Sequence, residues 1–371
     1  MKKAIVTGIS GQDGAYLAKL LLSNNYKVFG VVRTNSTSFS NLEYLKINHE
    51  IEFINCDLLN ISSVEKLITT INPDEIYNLA AQSSVFQSYM QPITTFEFNT
   101  ISVFNLIESV KKINPKIKLY QASSSEMFGR VKNLPINESS VIHPVSPYAI
   151  SKVAAHYTCV NYRESYDMFI SCGILFNHES YLRNENFFVK KVIRESLEIS
   201  LNKKENLKVG NIDIKRDFGY APKYVEAMYL MLQQETASDY LVCSGQSVSL
   251  KEIIYYVFEK LNINKSACRI TDELYRPADI EDIYGNNTKA KSSLKWDYNL
   301  SVSDVLDLLL EEELKNLNVQ RVVVQKPVIV NDTVVAKKDT VAITPLPQKE
   351  KPAQQEVVKA PEIKPEVKKV D

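Results

Sequence analysis

Two short stretches carry side chains whose types and spacing suit proton transfer. In QASSSEMFG, residues 121–129, Ser124 and Glu126 close an apolar-leaning run; in SPYAISK, residues 146–152, Tyr148 and Lys152 stand four apart. Residues four apart share one helix face. A nearby ammonium stabilises a phenolate, so Lys152 is expected to lower the Tyr148 pKa toward a range useful to a base. Ser124 can then hydrogen-bond the same hydroxyl that Tyr148 deprotonates. Each stretch alone has an ordinary reading, as a polar helix start or as a chance Tyr–Lys neighbourhood.

The combination gains meaning from the N-terminus. KAIVTGISGQDGAYLAKLLL sets Gly8, Gly11 and Gly14 between a strand-like and a helix-like run. Such glycines permit a tight turn, a close approach of backbone to a pyrophosphate, and close helix–strand packing. The helix start then offers N–H groups and a favourable dipole to the anion. After the next strand-like run, YKVFGVV, an acidic residue would bind the ribose 2′-hydroxyl of NAD; Arg33 stands there instead. A guanidinium suits a 2′-phosphate, so NADP is the expected cofactor. Asp57, after IEFINC, is an expected acceptor for the adenine amine or, equally, a helix N-cap.

The elements that must position these residues follow from periodicity. KAIVTG, YKVFGVV, IEFINC, EIYNLA and IKLYQASS alternate with helical patterns, which predicts an α/β fold with a Rossmann-type, doubly wound parallel sheet over about residues 1–176. From about Asn177 the chain is irregular, with amphipathic helical stretches at 187–201 and 223–234, as expected of a smaller, mainly α substrate-binding lobe reaching residue 318. Some later segments are expected to interleave with the sheet. From Val319 to Asp371 there is no aromatic, Gly or Cys, and Lys, Glu, Val and Pro dominate. A disordered, partly extended tail is the expectation.

Composition narrows the partners. With 44 basic and 44 acidic side chains, nothing favours a polyanion such as nucleic acid, so any phosphate must be gripped locally. No run approaches a membrane span, and a soluble, cytoplasmic protein is expected. The five cysteines are scattered, never as C-x-x-C, and the four histidines form no H-x-x-x-H pair. Free thiols and no metal site are the expectation.

These motifs resemble the extended short-chain dehydrogenase/reductases, and within them the GDP-mannose 4,6-dehydratase branch. The resemblance spans nearly all of residues 3–315. TGISGQDGAYLAKLLL, EIYNLAAQSSV, QASSSEMFG, SPYAISK and NYRESY carry it, with LFNHES, KRDFGYAPKYVEAMYLMLQ and YRPADIE; LFNHES and KRDFGYAPKYVEAM are specific to the branch. It implies a hydro-lyase in which Tyr148 deprotonates the carbon 4 hydroxyl while hydride passes to NADP. Glu126 then removes the carbon 5 proton and, protonated, helps the carbon 6 hydroxyl leave as water. Hydride returns to carbon 6, which leaves a 4-keto-6-deoxy sugar of the kind that leads to GDP-fucose. Tightly bound NADP is regenerated at each turnover. The resemblance adds Gln12, Asp13, Leu58, Ala80 and Gln82 to the cofactor contacts. It assigns Asn177, Asn186, Lys190, Arg216 and Arg276 to the GDP-sugar and implies a homodimer or homotetramer.

There are three departures from the branch: Ser124 replaces Thr, Thr34 replaces the second of two arginines, and YRPADIE replaces HRPTEVD, with Tyr275 for His and Asp279 for Glu. The last region faces the nucleotide, so another GDP-sugar such as a GDP-heptose stays open. An epimerase or ketosugar reductase would use Ser124, Tyr148 and Lys152 without Glu126. A cofactor-binding scaffold would rest on the tail from Val319, whose partner is unknown.

Overall fold

The computed structural model describes residues 1–33, 38–275 and 278–317, and the backbone of 319–330 and 333–345. Strand and helix alternate through the first half: β1 (Lys3–Thr7), α1 (Gln12–Ser23), β2 (Lys27–Val32), α2 (Ser40–Tyr44), β3 (Glu52–Asn55), α3 (Ile61–Ile71) and β4 (Glu75–Asn78). Then come α4 (Val85–Met90), α5 (Pro92–Ile113), β5 (Lys118–Ser124), α6 (Pro147–Tyr166) and β6 (Ile170–Leu175). The five strands expected from sequence are all present. Apolar continuity produces them, because a parallel strand covered by helices on both faces is apolar on both; β1 is buried at Ala4, Ile5, Val6 and Thr7.

The later chain is more broken. It runs β7 (Asn177–Glu179), α7 (Phe188–Ser200), β8 (Leu207–Val209), β9 (Lys215–Arg216), β10 (Phe218–Tyr220), α8 (Ala221–Leu232), β11 (Asp239–Val242), β12 (Val248–Ser249), α9 (Leu250–Lys260), β13 (Cys268–Ile270), α10 (Thr288–Leu294) and α11 (Val302–Asn316). β11 returns to the main sheet, whose seven strands lie in the order β11-β6-β5-β4-β1-β2-β3, with parallel neighbours throughout. Strand order reverses beside β1, where β4 on one side and β2 on the other leave a crevice at the carboxyl ends.

Side chains alternate across β5. Tyr120 and Ala122 join the core with Ala4, Val6, Tyr77 and residues of α1 and α8. Leu119 packs in the opposite core with Ile5, Ile76, Val103, Ala155 and Cys159, under α3, α5 and α6. A third core joins α7, α9 and α11 and forms the lobe. Its helices start on local signals: Ser249 with Glu252 and Ser301 with Asp304 form capping boxes on α9 and α11.

Beyond α11, where the sequence suggested a disordered tail, β14 (Val319–Val330) pairs antiparallel with β15 (Thr333–Pro345). Valine- and threonine-rich chain favours strands. Pro327 lies where the register shifts, the place where a missing N–H is tolerated. Arg276 and Thr34 lie outside the described residues.

Candidate active site

The glycine turn opens the site. Gly8 follows β1 with φ +68°, and a Cβ there would lie 2.9 Å from Ala80 N; a Cβ on Gly14 would lie 2.3 Å from the Gly8 carbonyl oxygen. Gly11 N–H closes the turn on Gly8 O at 3.0 Å. With Gly11 as N-cap, no side chain caps α1, so the first-turn N–H groups face the crevice without a capping oxygen. A pyrophosphate fits such a cradle. The side chains of the same turn are engaged elsewhere. Gln12 donates to Asp13 Oδ1 at 3.0 Å and His178 O at 3.2 Å, and accepts from Ser180 Oγ at 2.8 Å. Asp13 meets His178 Nε2 at 2.9 Å. Burial opposes its charge, yet His178, Gln12 and Arg183 together hold its carboxyl below the usual range. Both residues line the cleft while tying α1 to β7.

A hydrogen-bonded chain links this turn to the reacting strand. Thr7 Oγ1 donates to Asn78 Oδ1 at 2.6 Å, Asn78 to Gln121 Oε1 at 2.8 Å, and Gln121 to Ala122 O at 3.1 Å. The ends of β1, β4 and β5 are thereby held together. The cleft above them has a volume of about 820 Å³ and takes in Arg33, Leu58, Ala80 and Gln82 on the cofactor side. Gln82 closes a local loop on Ser84, with Oε1 accepting from Ser84 N at 2.7 Å. Asp57 does not line the cleft. It is exposed and accepts from Leu59 N at 3.0 Å, while Asn60 caps α3; its short side chain serves the turn.

Four catalytic candidates converge at the β5 tip. Ser124 ends β5, buried, with its Oγ accepting from Glu126 N at 3.2 Å. One 3-10 turn, Ser125–Met127, then carries Glu126, half-buried, into the cleft. Opposite, Ser146 caps α6 by accepting from Ala149 N, with Pro147 at the first position. That start presents Tyr148 and, one turn on, Lys152, whose Nζ donates to Ala122 O at 2.9 Å and lies 5.9 Å from the Tyr148 ring centre.

The electrostatics correct one expectation. Burial pushes Tyr148 up to about 12; Glu126 adds to that, while Ser124 and Arg183 oppose it. Burial therefore outweighs the help expected from Lys152, which burial itself brings down to about 8 and whose ammonium is turned to a carbonyl.

Of the residues the resemblance assigns to the GDP-sugar, Asn177, Asn186 and Arg216 line the cleft. Asn177 Nδ2 donates to Asp217 O at 3.3 Å, and Arg216 donates to the carbonyls of Lys215 and Ile280 at 2.7 and 2.5 Å. Asp217 is instead satisfied by Ser244, Gly245 and Gly285. Burial still raises it to about 6. Lys190 is not brought to the cleft. It is buried in an ion pair with Glu313 of α11 and donates to Tyr181 O at 2.6 Å, because a carboxylate as buried as Glu313 requires a cation.

Arg183 was missed. It lines the cleft with its guanidinium carbon 3.6 Å from the Phe187 ring centre, and its Nε forms an ion pair with Glu179 Oε2 at 3.6 Å. Its signal was its place five residues beyond His178, just past the end of LFNHES. Among the described residues, one group has the composition of a metal site: His156, Cys172 and Asp239, with ligand atoms within 4.8 Å of one another. Both Asp239 oxygens are already bonded by Arg163, at 2.7 and 2.9 Å.

Comparison with known proteins places this site in company. A family model described as GDP-mannose 4,6 dehydratase matches residues 5–309. GDP-mannose 4,6 dehydratase 2 of Arabidopsis thaliana is 39% identical over 87% of this chain and 90% of its own. GDP-mannose 4,6 dehydratase 2 of Caenorhabditis elegans is 36% identical over 84% and 89%. Among solved structures, dTDP-glucose 4,6-dehydratase of Bacillus anthracis, in complex with NAD, superposes with a TM-score of 0.75 at 20% identity, over 85% of this chain and 97% of that one.

Proposed function

The chain belongs to the GDP-mannose 4,6-dehydratase family, a family of hydro-lyases, and from that premise we propose that it converts GDP-mannose to GDP-4-keto-6-deoxymannose with NADP as resident cofactor. One observation carries the reading: Glu126 shares a cleft with Ser124, Tyr148 and Lys152. An epimerase or reductase has no task for that carboxylate.

The turn through Gly8, Gly11 and Gly14 would hold the pyrophosphate, Arg33 the 2′-phosphate, and Leu58, Ala80 and Gln82 the remainder. NADP there supplies the oxidant at carbon 4 and the reductant at carbon 6. Tyr148 takes the proton of the carbon 4 hydroxyl, and Ser124 hydrogen-bonds that oxygen. A ketone at carbon 4 acidifies the proton on carbon 5. Glu126 removes it, then delivers it to the carbon 6 hydroxyl, which leaves as water. A proton returned to carbon 5 completes the 4-keto-6-deoxy product, a precursor of deoxysugars such as GDP-fucose. Arg216, Asn177 and Asn186 grip the GDP-sugar, a role also assigned to Arg276, which lies outside the described residues; Lys190, paired with Glu313, acts through the fold.

No helix among the described residues is long and apolar enough to cross a membrane; the cytoplasmic setting rests on the family resemblance. Ile93, Phe96, Ile101 and Phe104 of α5 and Ile150 and Tyr157 of α6 are exposed, which supports a homo-oligomer. The test is Glu126→Gln. Water loss from GDP-mannose falls roughly 10²–10⁴-fold with NADP binding retained; unchanged turnover means epimerase or reductase chemistry. Wild-type dehydration of a GDP-heptose in preference to GDP-mannose would keep the mechanism and replace the substrate.

A further inference from the structure

The reacting groups lie on two elements. Ser124 and Glu126 belong to the β5 tip, Tyr148 and Lys152 to α6. A concerted set of proton transfers requires the two to stay in register, since a misplacement of about 1 Å costs about 10²-fold in rate. Two side-chain contacts span the gap at consecutive strand residues. Lys152 Nζ donates to Ala122 O at 2.9 Å, and His156 Nδ1 meets Ser123 Oγ at 3.0 Å.

Residues 148, 152 and 156 are successive steps of four along α6, so Tyr148, Lys152 and His156 form one stripe facing β5. Ser123 is 3% exposed and lines the cleft, and His156 is 6% exposed beneath it. The imidazole is itself braced. Its Nε2 lies 3.9 Å from Asp239 Oδ2, and Arg163, which bonds both oxygens of that carboxylate, also donates to Ile170 O at 3.0 Å. One ring therefore joins α6, the β5 tip and the two strands beyond it.

We infer that His156 is a positioning residue: its bond to Ser123 keeps Ser124 and Glu126 aligned with Tyr148 and Lys152. The inference rests on the dehydratase reading for its kinetic consequence. It has a sharp chemical form, because only Nδ1 makes the contact. An asparagine amide reaches the place of Nδ1, a glutamine amide reaches the place of Nε2, and phenylalanine fills the volume with neither.

The experiment compares full-length, NADP-loaded His156→Asn, His156→Gln and His156→Phe with wild type. In His156→Asn, kcat for water loss stays within about threefold. In His156→Gln and His156→Phe it falls about 10- to 100-fold, with KM and NADP affinity unchanged. Equal kcat in all four proteins, or losses in all three variants that follow their melting temperatures, overturns the inference. Should wild type dehydrate no GDP-sugar, the functional reading fails by itself. The clamp is then judged from crystal structures of the same holoenzymes. A Lys152 Nζ–Ala122 O contact that lengthens beyond hydrogen-bonding distance in His156→Phe but not in His156→Asn supports it, and an unmoved contact overturns it.

Discussion

Lys152 shows how a single residue is set between stability and function. Burial lowers it from the usual 10.5 to about 8. Between those values the unfolded chain holds more protons than the folded one, so stability rises with pH across that window; below about pH 8 the cost of the buried charge is fully present. Lys152→Met removes the charge. We expect a variant more stable at pH 7 by about 1–3 kcal/mol, without measurable turnover, checked by denaturant unfolding beside a product assay. A destabilised variant would mean that the bond to Ala122 outweighs the charge. At this scale the sequence was legible where residues act within one motif: Ser124 with Glu126, Tyr148 with Lys152. It was illegible where the partner is distant. Nothing near Lys190 announces Glu313, 123 positions later, and nothing near Tyr148 announces the burial that raises it.

Elements were legible in proportion to their length and continuity. Each strand of the first half has four or more residues around an apolar centre, whereas β9 and β12 have two residues each and carry no periodicity. β14 and β15 were masked by Pro327 and by charged neighbours. The glycine turn, the proposed cradle for the cofactor pyrophosphate, has almost no free volume. Gly14→Ala sets a methyl carbon 2.3 Å from Gly8 O, so α1 must shift from β1. NADP affinity should fall by at least tenfold and the melting temperature by several degrees. Titration of the variant with NADP checks this, and wild-type affinity would exclude the turn as the pyrophosphate cradle.

Across the whole molecule, α5 and α6 have two duties. Their inner faces enclose the sheet, and α6 carries Tyr148 and Lys152; their outer faces expose Ile93, Ile101 and Phe104 with Ile150 and Tyr157. Large exposed apolar patches mark association surfaces. The proposed homo-oligomer should become a monomer by light scattering in Ile93→Asp with Ile101→Asp, while deletion of residues 319–371 should leave both mass and turnover as in wild type. An unchanged mass in the first variant would assign another surface, and loss of turnover in the second would bring the tail into the functional unit.

The central claim is that this cleft removes water across carbons 5 and 6 and restores a proton at carbon 5. Its most direct measurement is mass spectrometry and NMR of the product formed from GDP-mannose by the wild-type chain in heavy water, with catalytic NADP. The account predicts a 4-keto sugar lighter by one water, carrying solvent deuterium at carbon 5, with no accumulation of reduced cofactor. A product of unchanged mass inverted at carbon 4, or one lighter by only two hydrogens and merely oxidised there, would contradict it.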